Sequence, residues 1–166
     1  SKGLRHPLAD ELLRQARSGK KKKPEKPVPL GEALRQLEAL LQAGRYAEVE
    51  RLGRELQRRH ARSTQLEYLL GMAALLQGRL EAAIPLLRRA VELEPRMAPA
   101  LYNLGFALEQ LDRPDEALAA YRRTVAAAPQ LADAHNNLGN LLQKLGRHDE
   151  ALAAFDQAVA LRPEVA

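Results

Sequence analysis

His135–Pro163 reads HNNLGNLLQKLGRHDEALAAFDQAVALRP, and Tyr102–Pro129 reads YNLGFALEQLDRPDEALAAYRRTVAAAP in the same register, 34 residues earlier. At that period six columns recur in three copies: Leu70, Leu104 and Leu138; Gly71, Gly105 and Gly139; Ala83, Ala117 and Ala151; Leu87, Tyr121 and Phe155; Val91, Val125 and Val159; Pro95, Pro129 and Pro163. Internal repetition at a fixed period of 20–50 residues marks an array of small supersecondary units and takes precedence over any other reading of the chain. A worn copy precedes the three. Gly44 aligns with Gly78 and Gly146, although Gln36 and Leu37 stand where the Leu-Gly pair belongs. The units begin at about 30, 64, 98 and 132.

Within a unit the apolar spacing predicts two antiparallel helices, A and B. APALYNLGFALEQL places Leu101, Leu104, Leu108 and Leu111 on one helical face, and DEALAAYRRTVAAA does the same with Leu118, Tyr121 and Val125. A glycine in mid-helix costs about 1 kcal/mol relative to Ala, so Gly105 and Gly139 need a packing reason. Close approach of helix B through Ala117 or Ala151 is the expected one. Gly78 and Gly146 suit the left-handed residue that ends helix A, and each unit's Pro falls where helix B must stop. Asp115 and Asp149 favour the positive N-terminal end of helix B.

Outside the repeats, composition excludes several classes of function. The 166 residues contain no Cys, which removes disulfides, thiolate metal sites and cysteine nucleophiles. No apolar run approaches the roughly 20 residues that cross a bilayer, and no secretory h-region is present, so a cytoplasmic protein is expected. The net charge of +5 is uneven. Residues 1–29 carry nine Lys or Arg against Asp10, Glu11 and Glu25, and the remainder of the chain is close to neutral. In that segment Leu8, Leu12, Leu13 and Ala16 share a face, predicting a short amphipathic helix that stops at Gly19. The helix is expected to cap the first unit or to fold back into a groove. Lys20–Lys23 and the following prolines read as a solvated, stiffened linker, and without stacking aromatics no nucleic-acid or membrane partner is expected.

These columns resemble the tetratricopeptide repeat, a 34-residue helix-turn-helix family, strongly over 64–163 and weakly over 30–63. The resemblance implies an all-α solenoid, a right-handed superhelix whose A helices line a concave groove for an extended or helical peptide. Stacked two-helix units independently imply a continuous core with an elongated inner surface. Helix A positions not needed by the core then become the candidate peptide-binding residues. Units two and three offer Tyr68, Leu69, Met72, Leu76, Tyr102 and Phe106, whereas unit four offers Asn136, Asn137, Asn140, Gln143 and Lys144. Apolar pockets would hold ligand side chains, and amides can both donate and accept toward a peptide backbone. Asn103 and Asn137 hold equivalent places before Leu-Gly. There the wording is similar to O-linked N-acetylglucosamine transferases and bacterial repeat-bearing transferases, which implies an asparagine ladder that grips peptide backbone. Leu69 and Arg35 replace it in the earlier units.

Catalytic chemistry finds no constellation in these residues. SGKKKK lacks the earlier glycine of a phosphate loop, and His6, His60, His135 and His148 are scattered without metal-ligand spacing. No catalytic residue, metal or cofactor is expected. Pro163 closes unit four and Glu164–Ala166 would begin a further helix A without a polar cap. This predicts either a piece of a longer protein or an end covered by another molecule, self-association included. The expected function is a non-enzymatic protein-interaction scaffold binding a peptide or helix in its groove. The alternative is the acceptor-recruiting region of a larger glycosyltransferase or sulfotransferase.

Overall fold

A computed structural model describes residues 28–162. The helix expected at Leu8–Ala16, the Lys20–Lys23 linker, Pro163 and the start of a further helix A lie outside the described residues. Within them the chain forms eight α-helices: α1 Leu30–Gln42, α2 Tyr46–Gln57, α3 Thr64–Leu76, α4 Leu80–Leu93, α5 Ala98–Gln110, α6 Pro114–Ala127, α7 Ala132–Lys144 and α8 His148–Ala160. The A helices are the odd-numbered ones and start at 30, 64, 98 and 132; the B helices start at 46, 80, 114 and 148. Each helix packs on its chain neighbours, and A helices also touch A helices, as in a stack of helical hairpins. The architecture is an all-α solenoid.

The apolar stripes account for that stacking. Leu104 and Leu108 of α5 are buried together with Leu118 and Tyr121 of α6, while Leu101 packs with Ala90 and Val91 of α4, and each fully buried Leu contributes about 1.5–3 kcal/mol relative to exposure. One cluster runs through α3–α8, and a second joins α1, α2 and the start of α3. The repeated size pattern within a unit comes from a single contact. A Cβ on Gly105 would lie 2.8 Å from the Tyr121 ring, one on Gly139 would lie 2.6 Å from Phe155, and one on Gly71 would lie 2.9 Å from Leu87. Ala117 and Ala151 are therefore not what fills the glycine's space. The large side chain four positions further along helix B does so. This couples the glycine column to the Leu-Tyr-Phe column. Unit one exchanges the two sizes, with Leu37 at the glycine position and Gly53 at the large one. A Cβ on Gly53 would be 2.5 Å from Leu70, so the next unit's helix fills that gap.

Helix A ends the same way four times. Gly44, Gly78 and Gly146 have φ of 69°, 71° and 72°, and Asp112 takes the equivalent place with φ 54°. The following arginine N–H then closes onto the carbonyl five residues back: Arg45 to Leu40, Arg79 to Ala74, Arg113 to Leu108 and Arg147 to Leu142, at 2.9–3.0 Å. This is the Schellman closure that satisfies otherwise orphaned helix carbonyls. Asp112 is the costly version, because a Cβ disfavours the left-handed region. Asp112→Gly should stabilise the chain by about 0.5 kcal/mol, net of the greater freedom glycine has when unfolded. A urea midpoint that stayed level or fell would refute that expectation.

Neighbouring B helices are tied by ion pairs 28 residues apart, Arg88 to Glu116 and Arg122 to Glu150, and each acid also meets the arginine three residues before it, Arg113 or Arg147. Hydrogen bonding from Arg147, aided by Arg122, holds the Glu150 carboxyl below its ordinary range. Exposed pairs of this kind contribute little stability each. They balance these charges locally and leave the face built from the A helices as the one with distinctive chemistry.

Candidate peptide-binding groove

Neighbouring A helices meet in a register of 35 residues rather than 34. The amide nitrogen of Asn103 on α5 donates to Met72 Sδ at 3.1 Å and to Tyr68 Oη at 3.5 Å on α3. Asn137 on α7 donates to Tyr102 Oη on α5 at 2.9 Å. Lys144 Nζ reaches Glu109 Oε1 at 2.6 Å across the same pair of helices. Tyr68 to Asn103, Tyr102 to Asn137 and Glu109 to Lys144 are all 35 apart. Helical side chains lean toward the N-terminus, so a residue one place further along the next A helix projects back onto its partner.

Each Tyr–Asn couple has a defined polarity. One amide N–H goes to the phenol oxygen, and at Asn103 the shorter contact is the one to Met72 Sδ, which leaves the amide oxygen as an acceptor and the phenolic O–H as a donor. Burial pushes the Tyr68 phenol above its ordinary range against the lowering effect of Asn103, and burial does the same at Tyr102 against Asn137. Both hydroxyls therefore keep their protons at neutral pH. Behind them lies Tyr121, fully buried, its ring 6.1 Å from that of Tyr102 and tilted by 57°. Its hydroxyl donates to Glu109 Oε2 at 3.1 Å. Burial, reinforced by the Glu109 charge, drives the Tyr121 phenol strongly upward. Glu109 is thus held between a buried phenol and an exposed ammonium, fixed at the groove wall.

Between α5 and α7 the surface sinks into a concavity of about 390 Å³. It brings together Phe106, Asn137, Asn140 and Lys144 from the expected set, with Gln143, and adds Glu109 and Gln110. Tyr68, Met72 and Asn103 form a second polar-aromatic cluster one helix earlier. Leu69 belongs to neither. It is 2% exposed and packs with Leu37, Leu40 and Leu66, so it serves the core instead of the groove. The cause is a wider apolar stripe on α3, where Leu66, Leu69, Leu70 and Ala73 all join the cluster shared with α1 and α2. Asn136 and Leu76 are exposed but do not line the concavity. Sequence reasoning missed Glu109, whose only signal was the 35-residue offset to Lys144. Among the described residues no group of three or more His, Asp or Glu is placed to hold a metal ion, and no helix is long and apolar enough to cross a membrane.

Family models described as tetratricopeptide repeat match residues 34–99, 68–132 and 132–165. No curated protein sequence matches the chain. Among solved structures, a crystal structure of MamA superposes with a TM-score of 0.80 at 22% identity, covering 94% of this chain and 85% of that one. A further MamA structure, labelled AMB-1, gives 0.71 at 25% identity over 80% of this chain and 72% of that one. YrrB, described as a TPR protein with an unusual peptide-binding site, gives 0.69 at 26% identity over 77% of this chain and 66% of that one.

Proposed function

We propose, from the premise that this chain belongs to the tetratricopeptide repeat family and is a protein-interaction scaffold, that it binds an extended peptide segment along the α3–α5–α7 face. The observation that carries this reading is the repeated Tyr–Asn couple. Each couple offers one donor and one acceptor side by side, the complement of the alternating carbonyl and amide groups of an extended backbone. Phe106 and Met72 supply apolar contact beside the couples, and the Glu109–Lys144 pair bounds the site at the other end. YrrB, a structure with the same repeat fold, is described as having an unusual peptide-binding site, which supports peptide binding by an array of this kind.

An array of capped peptides probed with the intact chain tests it. Binding should tolerate many side chains and be lost when backbone amides are N-methylated. Asn103→Ala with Asn137→Ala should weaken binding about 10–100-fold, at roughly 0.5–1.5 kcal/mol per lost hydrogen bond plus the unpaired partners. Unchanged affinity in the double variant would sink the proposal. A broad, backbone-directed pattern is what both a scaffold of this kind and the acceptor-recruiting region of a larger transferase would give, whereas one sharp motif would overturn the backbone-directed reading.

A further inference from the structure

The face built from the A helices repeats at a fixed step. Each Tyr–Asn couple bridges two neighbouring A helices, Tyr68–Asn103 from α3 to α5 and Tyr102–Asn137 from α5 to α7. Successive couples are therefore one A-helix spacing apart, about 8–10 Å for packed helices. A second row runs beside the first. Met72 and Phe106 stand 34 residues apart, about one helical turn beyond Tyr68 and Tyr102, and both are half-buried. The polar row and the apolar row share one step.

Backbone repeats differ in whether they can follow that step. A β-strand returns the same side to a surface every second residue, about 6.6–6.8 Å along, and the next return, after four residues, overshoots at about 13 Å. Three strand residues cover about 10 Å but turn the N–H away. Polyproline II has three residues per turn at about 3.1 Å each, so every third residue comes back to the same side after about 9.3 Å. It matches the couples in both length and direction.

We propose, resting on backbone-directed binding along this face, that the bound segment is a proline-rich polyproline II helix read in steps of three residues. In each turn one residue gives its N–H to the Asn amide oxygen, and a neighbouring carbonyl accepts from the Tyr hydroxyl. A second residue lays its side chain on Met72 or Phe106, and the third faces solvent. Only the first must keep its N–H, so proline is admitted at the other two. Proline also pre-sets the extended backbone, which lowers the ordering cost of binding, and its ring suits a surface of aromatic and thioether side chains. The apolar row stops at α7, where Asn140 takes the place of Met72 and Phe106. The demand for proline therefore falls on the two turns beside α3 and α5.

Fluorescence anisotropy on the full chain with three labelled, capped twelve-residue peptides tests this. Four Pro-Pro-Gln triplets offer an N–H every third residue, six Pro-Gln pairs offer one every second, and twelve prolines offer none. The triplet peptide should bind tightest. The pair peptide cannot present two N–H groups three residues apart and should bind about 2–10-fold more weakly, the worth of one hydrogen bond. Twelve prolines should bind more weakly still. Asn103→Ala with Asn137→Ala should erase the difference between triplets and pairs. Equal affinity of the parent chain for triplets and pairs overturns the three-residue step. So does a triplet peptide that fails to bind while proline-free array peptides bind and lose affinity on N-methylation; strand-like reading then takes the face, and backbone-directed binding stands without this proposal. Array binding indifferent to N-methylation, by contrast, removes backbone-directed binding itself and the proposal with it.

Discussion

Tyr121→Ala should lower the unfolding free energy by about 3–5 kcal/mol, the range for truncating a fully buried aromatic side chain. Three features place Tyr121 at the upper end of sensitivity. Its ring is wholly buried, it fills the space left by Gly105, and its hydroxyl satisfies Glu109. Truncation leaves a cavity on both sides of the α5–α6 contact, since the glycine has no side chain with which to close it. Tyr121→Phe separates ring from hydroxyl and should cost no more than about 1 kcal/mol, because Glu109 keeps Lys144. Repeat arrays gain stability largely from neighbour interfaces, so the loss in Tyr121→Ala should spread unevenly. Hydrogen exchange should quicken first in α5–α8, with α1 and α2 protected longer by their own cluster. A urea transition shifted by less than Tyr121→Phe would show that the ring is not the keystone of this interface.

The fold was legible because its determinants repeat. Gly44, Gly78 and Gly146 mark helix ends in a column, and the left-handed φ at each follows from that position. Asp112 was hidden in the same column, because an aspartate reads as an ordinary polar turn residue until the backbone is seen. The need for a packing partner at Gly105 was also legible, but not its identity. Ala117 was the small residue nearest in register, whereas the large Tyr121 occupies the space.

Groove residues were harder to read, since they depend on which helix face meets which neighbour. Asn103, Asn137, Phe106 and Lys144 stood out by chemistry. Glu109 did not, because its meaning comes from two partners, one 12 and one 35 residues away. Leu69 shows the converse. It shares a column with Asn103 and Asn137, yet the wider apolar stripe of α3 draws it into the core, and column identity alone carries no information about that local widening.

Gly105→Ala and Gly139→Ala should differ in outcome although the two positions are equivalent in the repeat. Each substitution gains about 1 kcal/mol of helix propensity, and each places a Cβ under 3 Å from an aromatic ring. At position 105 the ring is that of Tyr121, closed in on every side and tied to Glu109. It has no room to retreat, and overpacking of such a site costs about 1–3 kcal/mol. At position 139 the ring is that of half-buried Phe155, on the helix whose outer face meets solvent. That ring can swing outward at a cost that the helix gain offsets, so the chain should be about as stable as the parent. Equal destabilisation of the chain by both substitutions would mean that Phe155 is already confined, and the two rings would have to be treated as one kind of contact.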